Sequence, residues 1–309
     1  MDNKMQKKDF SSLGFRMLIG AVLITAIQLL SQNVVFGIRP EWLDNMNIVM
    51  AVTMIPLYVV GYPIAFRLMR KKDARTIEKH EMRPGQFILA FMMAYGLMIM
   101  GNIIGLALTT VIGLIKGEPV NNALLSVISD GNIWISAIYT VILAPVFEEI
   151  LFRKLICDRV VQYGQRTAIL ISGLLFGLFH MNFNQFFYAA FLGGFFAFIY
   201  IRTGNLKYTI ALHMIVNFLG SVVGGLLLQN VDMMSLPGMM IYAAYSMCVY
   251  AIGITGVVFF FINRSKMKAP EGDDMVGKGT WFRTAVLNPG MALYCIAMLV
   301  VMIVQAVVI

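Results

Sequence analysis

Residues 86–115 read QFILAFMMAYGLMIMGNIIGLALTTVIGLI, thirty consecutive positions without Asp, Glu, Lys, Arg or His. About twenty apolar residues cross the hydrocarbon core of a bilayer as a helix, so this block is long enough to cross with tilt. Eight further apolar blocks flank it, at 15–37, 47–66, 133–155, 167–181, 185–201, 206–229, 239–262 and 289–308. The fifth and sixth, 167–181 and 185–201, are short, and the Met181-Asn182-Phe183-Asn184 link between them carries no charge. These two form either two crossings or one re-entrant pair. The fold class expected is an all-α polytopic membrane protein, a bundle of eight to nine transmembrane helices. Long unbroken apolar blocks speak against a β-barrel, whose strands alternate.

Composition agrees. Of 309 residues, 59% are hydrophobic and 13% charged, against about 25% charged in soluble domains, and the mean hydropathy is +0.79. A soluble enzyme, a disordered chain and a disulfide scaffold are excluded. Cys157, Cys248 and Cys295 are scattered without metal-ligand spacing and read as buried reduced thiols. No soluble domain stands out. Residues 1–309 read as a single membrane domain, with a core at 133–228 and flanking transmembrane helices in 1–132 and 229–309.

The net charge of +8 would suggest nucleic acid in a soluble protein; here it is an orientation code, and no nucleic-acid partner is expected. With the N-terminus cytoplasmic, the inside segments are the N-terminus through Arg16, then 67–83, 153–166, 202–207 and 263–283. They hold 22 of the 24 basic residues, leaving Arg39 and Lys116 outside with Glu41, Asp44, Glu118, Asp130 and Asp232. Lysine and arginine concentrate on the cytoplasmic side of membrane proteins. The first apolar stretch reads as an uncleaved anchor. Lys71-Lys72 and the Arg264/Lys266/Lys268 cluster serve topology first and anionic lipid heads second.

Ionisable side chains inside spans are few, and such residues face a protein interior or cavity. The fourth span contains Glu148-Glu149-Ile150-Leu151-Phe152-Arg153, the fifth ends Phe176-Gly177-Leu178-Phe179-His180, and the seventh contains His213-Met214-Ile215-Val216-Asn217. Glu149 and Arg153 share a helix face and can pair, whereas Glu148 points about 100° away. A carboxylate neutralised by Arg153 leaves its neighbour as a tunable acid or base. Phe176 and His180, and His213 and Asn217, are also four apart. Counted from the cytoplasmic helix ends, Glu148 and His213 each lie about 10 Å deep and His180 about 20 Å. Taken singly, each residue has a structural reading: a helix-end ion pair, an interfacial histidine, an interhelical asparagine. Pro145 is expected to kink the fourth helix before the glutamates. Gly173/Gly177 and Gly220/Gly224 are expected to let the fifth and seventh helices approach closely.

These three motifs resemble the CAAX-protease and bacteriocin-processing (CPBP) family of intramembrane glutamate endopeptidases, whose pattern is E-E-x-x-x-R, F-x-x-x-H and H-x-x-x-N. The resemblance covers about residues 133–228. It implies hydrolysis of a peptide bond within the membrane near the cytoplasmic face. Glu148 would be the general base activating water with help from His180, His213 and Asn217 would form the oxyanion hole, and Glu149 and Arg153 would orient the site. The implied substrate is a peptide or membrane protein reached from the bilayer, in a bacterial cell membrane. No cofactor is expected. A His₂Glu zinc site is the lesser alternative, as the H-E-x-x-H spacing is missing. A non-catalytic bacteriocin-immunity or signalling role and a proton-coupled transporter are the other readings; the latter predicts an inverted repeat, which the halves do not show.

Overall fold

The computed structural model describes residues 3–71, 74–121, 131–267, 276–277 and 279–308. Lys72, Asp130, Lys268 and Lys278, counted in the charge pattern, lie outside them. Among the described residues the apolar blocks form α1 (Asn3–Ile38), α2 (Met46–Met69), α3 (Pro84–Lys116), α4 (Ile133–Tyr163), α5 (Gln165–Phe179), α6 (Phe183–Thr203), α7 (Leu206–Asn230), α8 (Leu236–Asn263) and α9 (Pro289–Val307). Eight are long and apolar enough to cross a bilayer. The exception is α5, whose 15 residues rise only about 22 Å, short of the ~30 Å core. The protein is an integral, multi-pass, all-α membrane protein.

Helix starts follow local chemistry. Asn45, Asn132, Asn182, Asn205, Ser235 and Asn288 each accept backbone N–H bonds from the first turn that follows, which satisfies donors the helix cannot. Two helices outrun their apolar blocks. The first begins at Asn3, because Phe10 and Leu13 are buried and the Phe10 ring packs 5.1 Å from that of Tyr163. The fourth runs eight residues past 155 because its polar residues are satisfied there. Asp158 pairs with Lys154 at 2.7 Å and accepts from the Tyr200 hydroxyl at 2.9 Å, and Arg159 lies 3.6 Å from Asp9.

The segments carrying most of the basic residues are joined at one end of the bundle. Lys71 pairs with Asp9 at 2.7 Å, and the Tyr163 hydroxyl also donates to Asp9. The Arg75 N–H donates to the Asp158 carbonyl at 3.0 Å, and the His80 N–H to the Thr203 carbonyl at 2.7 Å. Trp281 Nε1 donates to the Thr167 hydroxyl and Thr284 to Asn3. The alternation that the charge pattern required is therefore built into this face. Glu81, on the loop before α3, accepts from Lys207 Nζ at 2.8 and 3.0 Å and from the Tyr208 hydroxyl. The Lys207 bond, then the Tyr208 bond, hold its carboxyl below the ordinary range. A depressed pKa adds stability above the unfolded value that is lost as pH falls through the folded one. Glu81→Gln is therefore expected to melt slightly below the parent at neutral pH, with the gap closing in acid. Thermal melts at the two pH values check this; a gap that widens on acidification contradicts it.

Close packing centres on α5 and α6. A Cβ at Gly173 would lie 2.8 Å from the Ala190 carbonyl oxygen, and one at Gly177 would lie 2.8 Å from Ala190 Cβ. The glycines on α5 thus admit α6, the sixth helix, rather than the seventh. Gly220 faces no atom within 4 Å and Gly224 only the Tyr245 hydroxyl at 3.6 Å, so the second glycine pair brings no helices together. Gly220 lies in a π-helical turn, Phe218–Val223, which turns it away from neighbours.

Candidate active site

The fourth helix is regular only in short pieces. π-helical turns at Ile138–Leu143 and Ile150–Cys157 bracket Ala144–Glu149. Pro145 explains the first. It has no N–H to give to a carbonyl one turn back, and the Ala144 N–H reaches Tyr139 rather than Thr140. The Thr140 carbonyl is left without a helical donor, and Asn217 Nδ2 of α7 donates to it at 2.8 Å. The proline thus widens the helix by a π-turn and opens a carbonyl to a neighbouring helix, as buried polar backbone in a bilayer requires. Asn217 closes that gap.

Glu149 and Arg153 are both fully buried. Arg153 Nε lies 2.9 Å from Glu149 Oε2, and Nη2 donates to Oε1 at 3.2 Å. Nη1 donates to the Ser172 hydroxyl of α5 at 3.0 Å, and the guanidinium sits 4.9 Å from the centre of the Phe176 ring and 5.8 Å from that of Phe196. The pair is interior, far from a helix-end bridge at the head groups. Glu149 also takes a hydrogen bond from the Thr209 hydroxyl and lies 3.1 Å, through Oε1, from His213 Nδ1. A carboxylate held by arginine can only accept, so Nδ1 carries the proton.

That assignment turns the other face of the His213 ring toward Glu148, with Nε2 3.8 Å from Glu148 Oε2. Unlike Glu149, Glu148 keeps part of its carboxylate accessible, at 13% side-chain exposure. His213 is its only ion-pair partner among the described residues. The acidic dipeptide therefore divides as the helical offset required, one carboxylate locked to arginine and one left partly accessible beside His213. Tyr58 and Tyr62 of α2 pack against Phe147, the residue before Glu148, at 5.1 and 5.2 Å between ring centres, and Tyr188 of α6 lies 6.5 Å from the His180 ring.

His180 ends α5. Its Nδ1 is 2.8 Å from the Phe176 carbonyl oxygen, which must accept, so Nδ1 bears the hydrogen and Nε2 a lone pair. The Phe176 ring stands edge-on between the two histidines, 4.9 Å from His180 and 5.8 Å from His213. His180 therefore reaches the cluster across one aromatic ring. The turn behind it is fixed by Asn182 Nδ2, which donates to the His180 carbonyl at 2.8 Å and to Gln185 Oε1. Met181 there has φ 56°. His213 lies seven residues into α7, about 10 Å from its basic end.

Of the six residues singled out from sequence, Glu148, Glu149, Arg153 and His213 are thus in mutual contact, while Asn217 reaches α4 at Thr140 and His180 reaches Phe176. Thr209, Ser172, Tyr58, Tyr62 and Tyr188 were not singled out. Two of them carry a signal that extends the motifs. Thr209 precedes His213 by four, and Ser172 precedes Phe176 by four, so each motif continues one turn along the same face. Cys157 is wholly buried. Among the described residues no three His, Cys, Asp or Glu side chains are grouped to hold a metal ion.

A bundle of apolar helices enclosing paired carboxylates, an arginine and two histidines defines a polytopic membrane protein with a polar interior. Residues 130–219 match the family described as type II CAAX prenyl endopeptidase, Rce1-like; the match spans the acidic dipeptide, His180, His213 and Asn217. No curated protein and no solved structure matches the chain.

Proposed function

We propose that the protein is an intramembrane endopeptidase that cleaves a peptide bond near the cytoplasmic face of its membrane, in a bacterial cell, with water activated by Glu148. The observation that carries this reading is the unequal pair: Glu149 sealed against Arg153, and Glu148 beside it, partly accessible and facing His213 Nε2. In this reading His213 carries a hydrogen on Nε2 as well as on Nδ1 and turns that N–H toward Glu148, 3.8 Å away. Glu148 then takes a proton from water as the oxygen attacks the carbonyl carbon. His213 Nε2–H and the second N–H of Asn217 Nδ2 stabilise the oxyanion. His180 Nε2, a lone-pair acceptor, holds the other water hydrogen. The proton on Glu148 passes to the leaving amine as the C–N bond breaks.

The substrate class follows from position. The site lies inside membrane-spanning helices, beside the aromatic set Tyr58, Tyr62, Phe147 and Phe179, whose ring centres are 5.1–6.3 Å apart. It favours a peptide tethered to the membrane, a prenylated C-terminus or a short transmembrane segment, over a soluble one. The test is cleavage of a prenylated CAAX-type peptide by the purified protein in liposomes, read by the mass of the released fragment. Wild type is expected to cleave at a rate indifferent to chelators, and His180→Ala to fall by at least about 10²-fold. Loss of activity on chelation, restored by zinc, points instead to a metal at Glu148, His180 and His213. Full activity of His180→Ala removes that residue from the mechanism.

A further inference from the structure

An apolar groove lies on the side of α5 away from the candidate active site. Ser172, Phe176 and His180 form the inner face of α5. Its outer face, with Leu170, Gly173 and Leu174, instead opens a groove of about 610 Å³ bounded by α3, α6 and the end of α8. Its walls are apolar, with the Phe191, Phe195 and Phe198 rings along one side. The one charged group in its lining is Arg264. Leu170 on its rim is 44% exposed, so the groove is open to the surrounding lipid.

We infer that this groove binds one anionic phospholipid, an acyl chain lying along α5 and α6 and the phosphate at Arg264. Depth supports the chain. On α6 the lining runs from Phe198, five residues from the basic end at Thr203, to Ala190, thirteen residues from it. At 1.5 Å per residue that is about 7 to 20 Å, the depth of one leaflet of a ~30 Å core. Charge supports the headgroup. Arg264 is exposed and makes no ion pair among the described residues, its guanidinium resting 6.0 Å from the Phe261 ring. Arg166 is the second residue of α5, four before Leu170, and Arg202 lies over Phe198 at 5.5 Å. Cationic side chains at this level attract anionic headgroups and not zwitterionic ones. The crease between α5 and α6 is deep because Gly173 and Gly194 face each other there, where a Cβ on Gly173 would come 2.9 Å from the Gly194 nitrogen. A lipid in the crease buttresses the helix whose other face carries His180, so occupancy couples to the geometry of the site without touching substrate.

The experiment is native mass spectrometry of the full chain released from nanodiscs containing equal phosphatidylglycerol and phosphatidylcholine. Wild type is expected to retain one phosphatidylglycerol about tenfold more often than phosphatidylcholine. Arg264→Gln, at an exposed position that folding does not need, is expected to bring the two to parity. Gly194→Leu, whose Cβ would meet only Ile169 at 3.7–3.8 Å, fills the groove and is expected to abolish retention of both. Equal retention by wild type, retention of neither lipid, or a preference that survives Arg264→Gln overturns the proposal. None of these readouts depends on proteolytic activity.

Discussion

Replacing Glu148 by glutamine is expected to lower turnover of a membrane-tethered peptide by about 10²–10⁴-fold, the usual contribution of a positioned general base, with the melting temperature unchanged. Glutamine has nearly the shape of glutamate, so the space in front of His213 is preserved. The carboxylate removed is the partly accessible one, at 3.8 Å from His213 Nε2, and it is not part of the sealed pair with Arg153. What disappears is the proton acceptor beside His213 Nε2. The loss should therefore fall on kcat, with KM little moved, because substrate contacts are unaltered. Single-turnover cleavage and a thermal melt on the same preparation separate this from a folding defect. Wild-type turnover by a folded Glu148→Gln protein would sink the glutamate mechanism. If wild type itself cleaves nothing and its cellular phenotype survives the substitution, the non-catalytic regulator becomes the better account.

The membrane fold was legible because hydropathy and the positive-inside bias act on whole segments, and neither depends on tertiary detail. Span edges were less so. Phe10 and Leu13 extend α1 through residues that read as a charged tail, and buried ion pairs at Asp158 and Arg159 carry α4 past its apolar block. A window that scores each residue by its own polarity misses a polar group whose partner arrives from elsewhere in the chain. The same limit explains the glycines. A small-xxx-small pair states that close approach is allowed, and the partner is chosen by the connection: the short Met181–Asn182 turn delivers α6 to Gly173 and Gly177 before any other helix.

In the site, the i, i+4 relation was enough to separate Glu148 from Glu149 and to pair the latter with Arg153. Depth counting matched Glu148 with His213 and set His180 deeper, and α5 keeps it there, fifteen residues from the Gln165 end. Phe176 packs edge-on against both imidazoles and links the two levels. Asn217 shows the converse. The Thr140 carbonyl it occupies is freed by a proline and a π-turn on another helix, which no spacing rule on α7 could supply. The tyrosines of α2 come from more than eighty residues away in sequence, and nothing in their local pattern connects them to the acidic dipeptide.

The largest effect on stability is expected from Arg153→Met. The substitution keeps an unbranched apolar stem but deletes the guanidinium, leaving Glu149 fully buried with only neutral donors and His213 beside it. Breaking a buried ion pair from one side costs about 3–5 kcal/mol, and the lost face contacts with Phe176 and Phe196 add to it. The defect should be mostly the orphaned charge. Adding Glu149→Gln to Arg153→Met is therefore expected to recover much of the loss, so that the double variant is more stable than the arginine single. Such a coupling is what a double-mutant cycle isolates. Arg153→Lys gives a third point. Lysine keeps the charge, but a single ammonium cannot contact both Glu149 oxygens and Ser172 at once, so it should fall between the parent and Arg153→Met. Denaturation in mild detergent, followed by helicity, measures all five proteins, the Glu149→Gln single that the cycle needs included. If Arg153→Met is as stable as the parent, Glu149 is protonated in the bilayer interior, and the division of labour between the two glutamates must be redrawn.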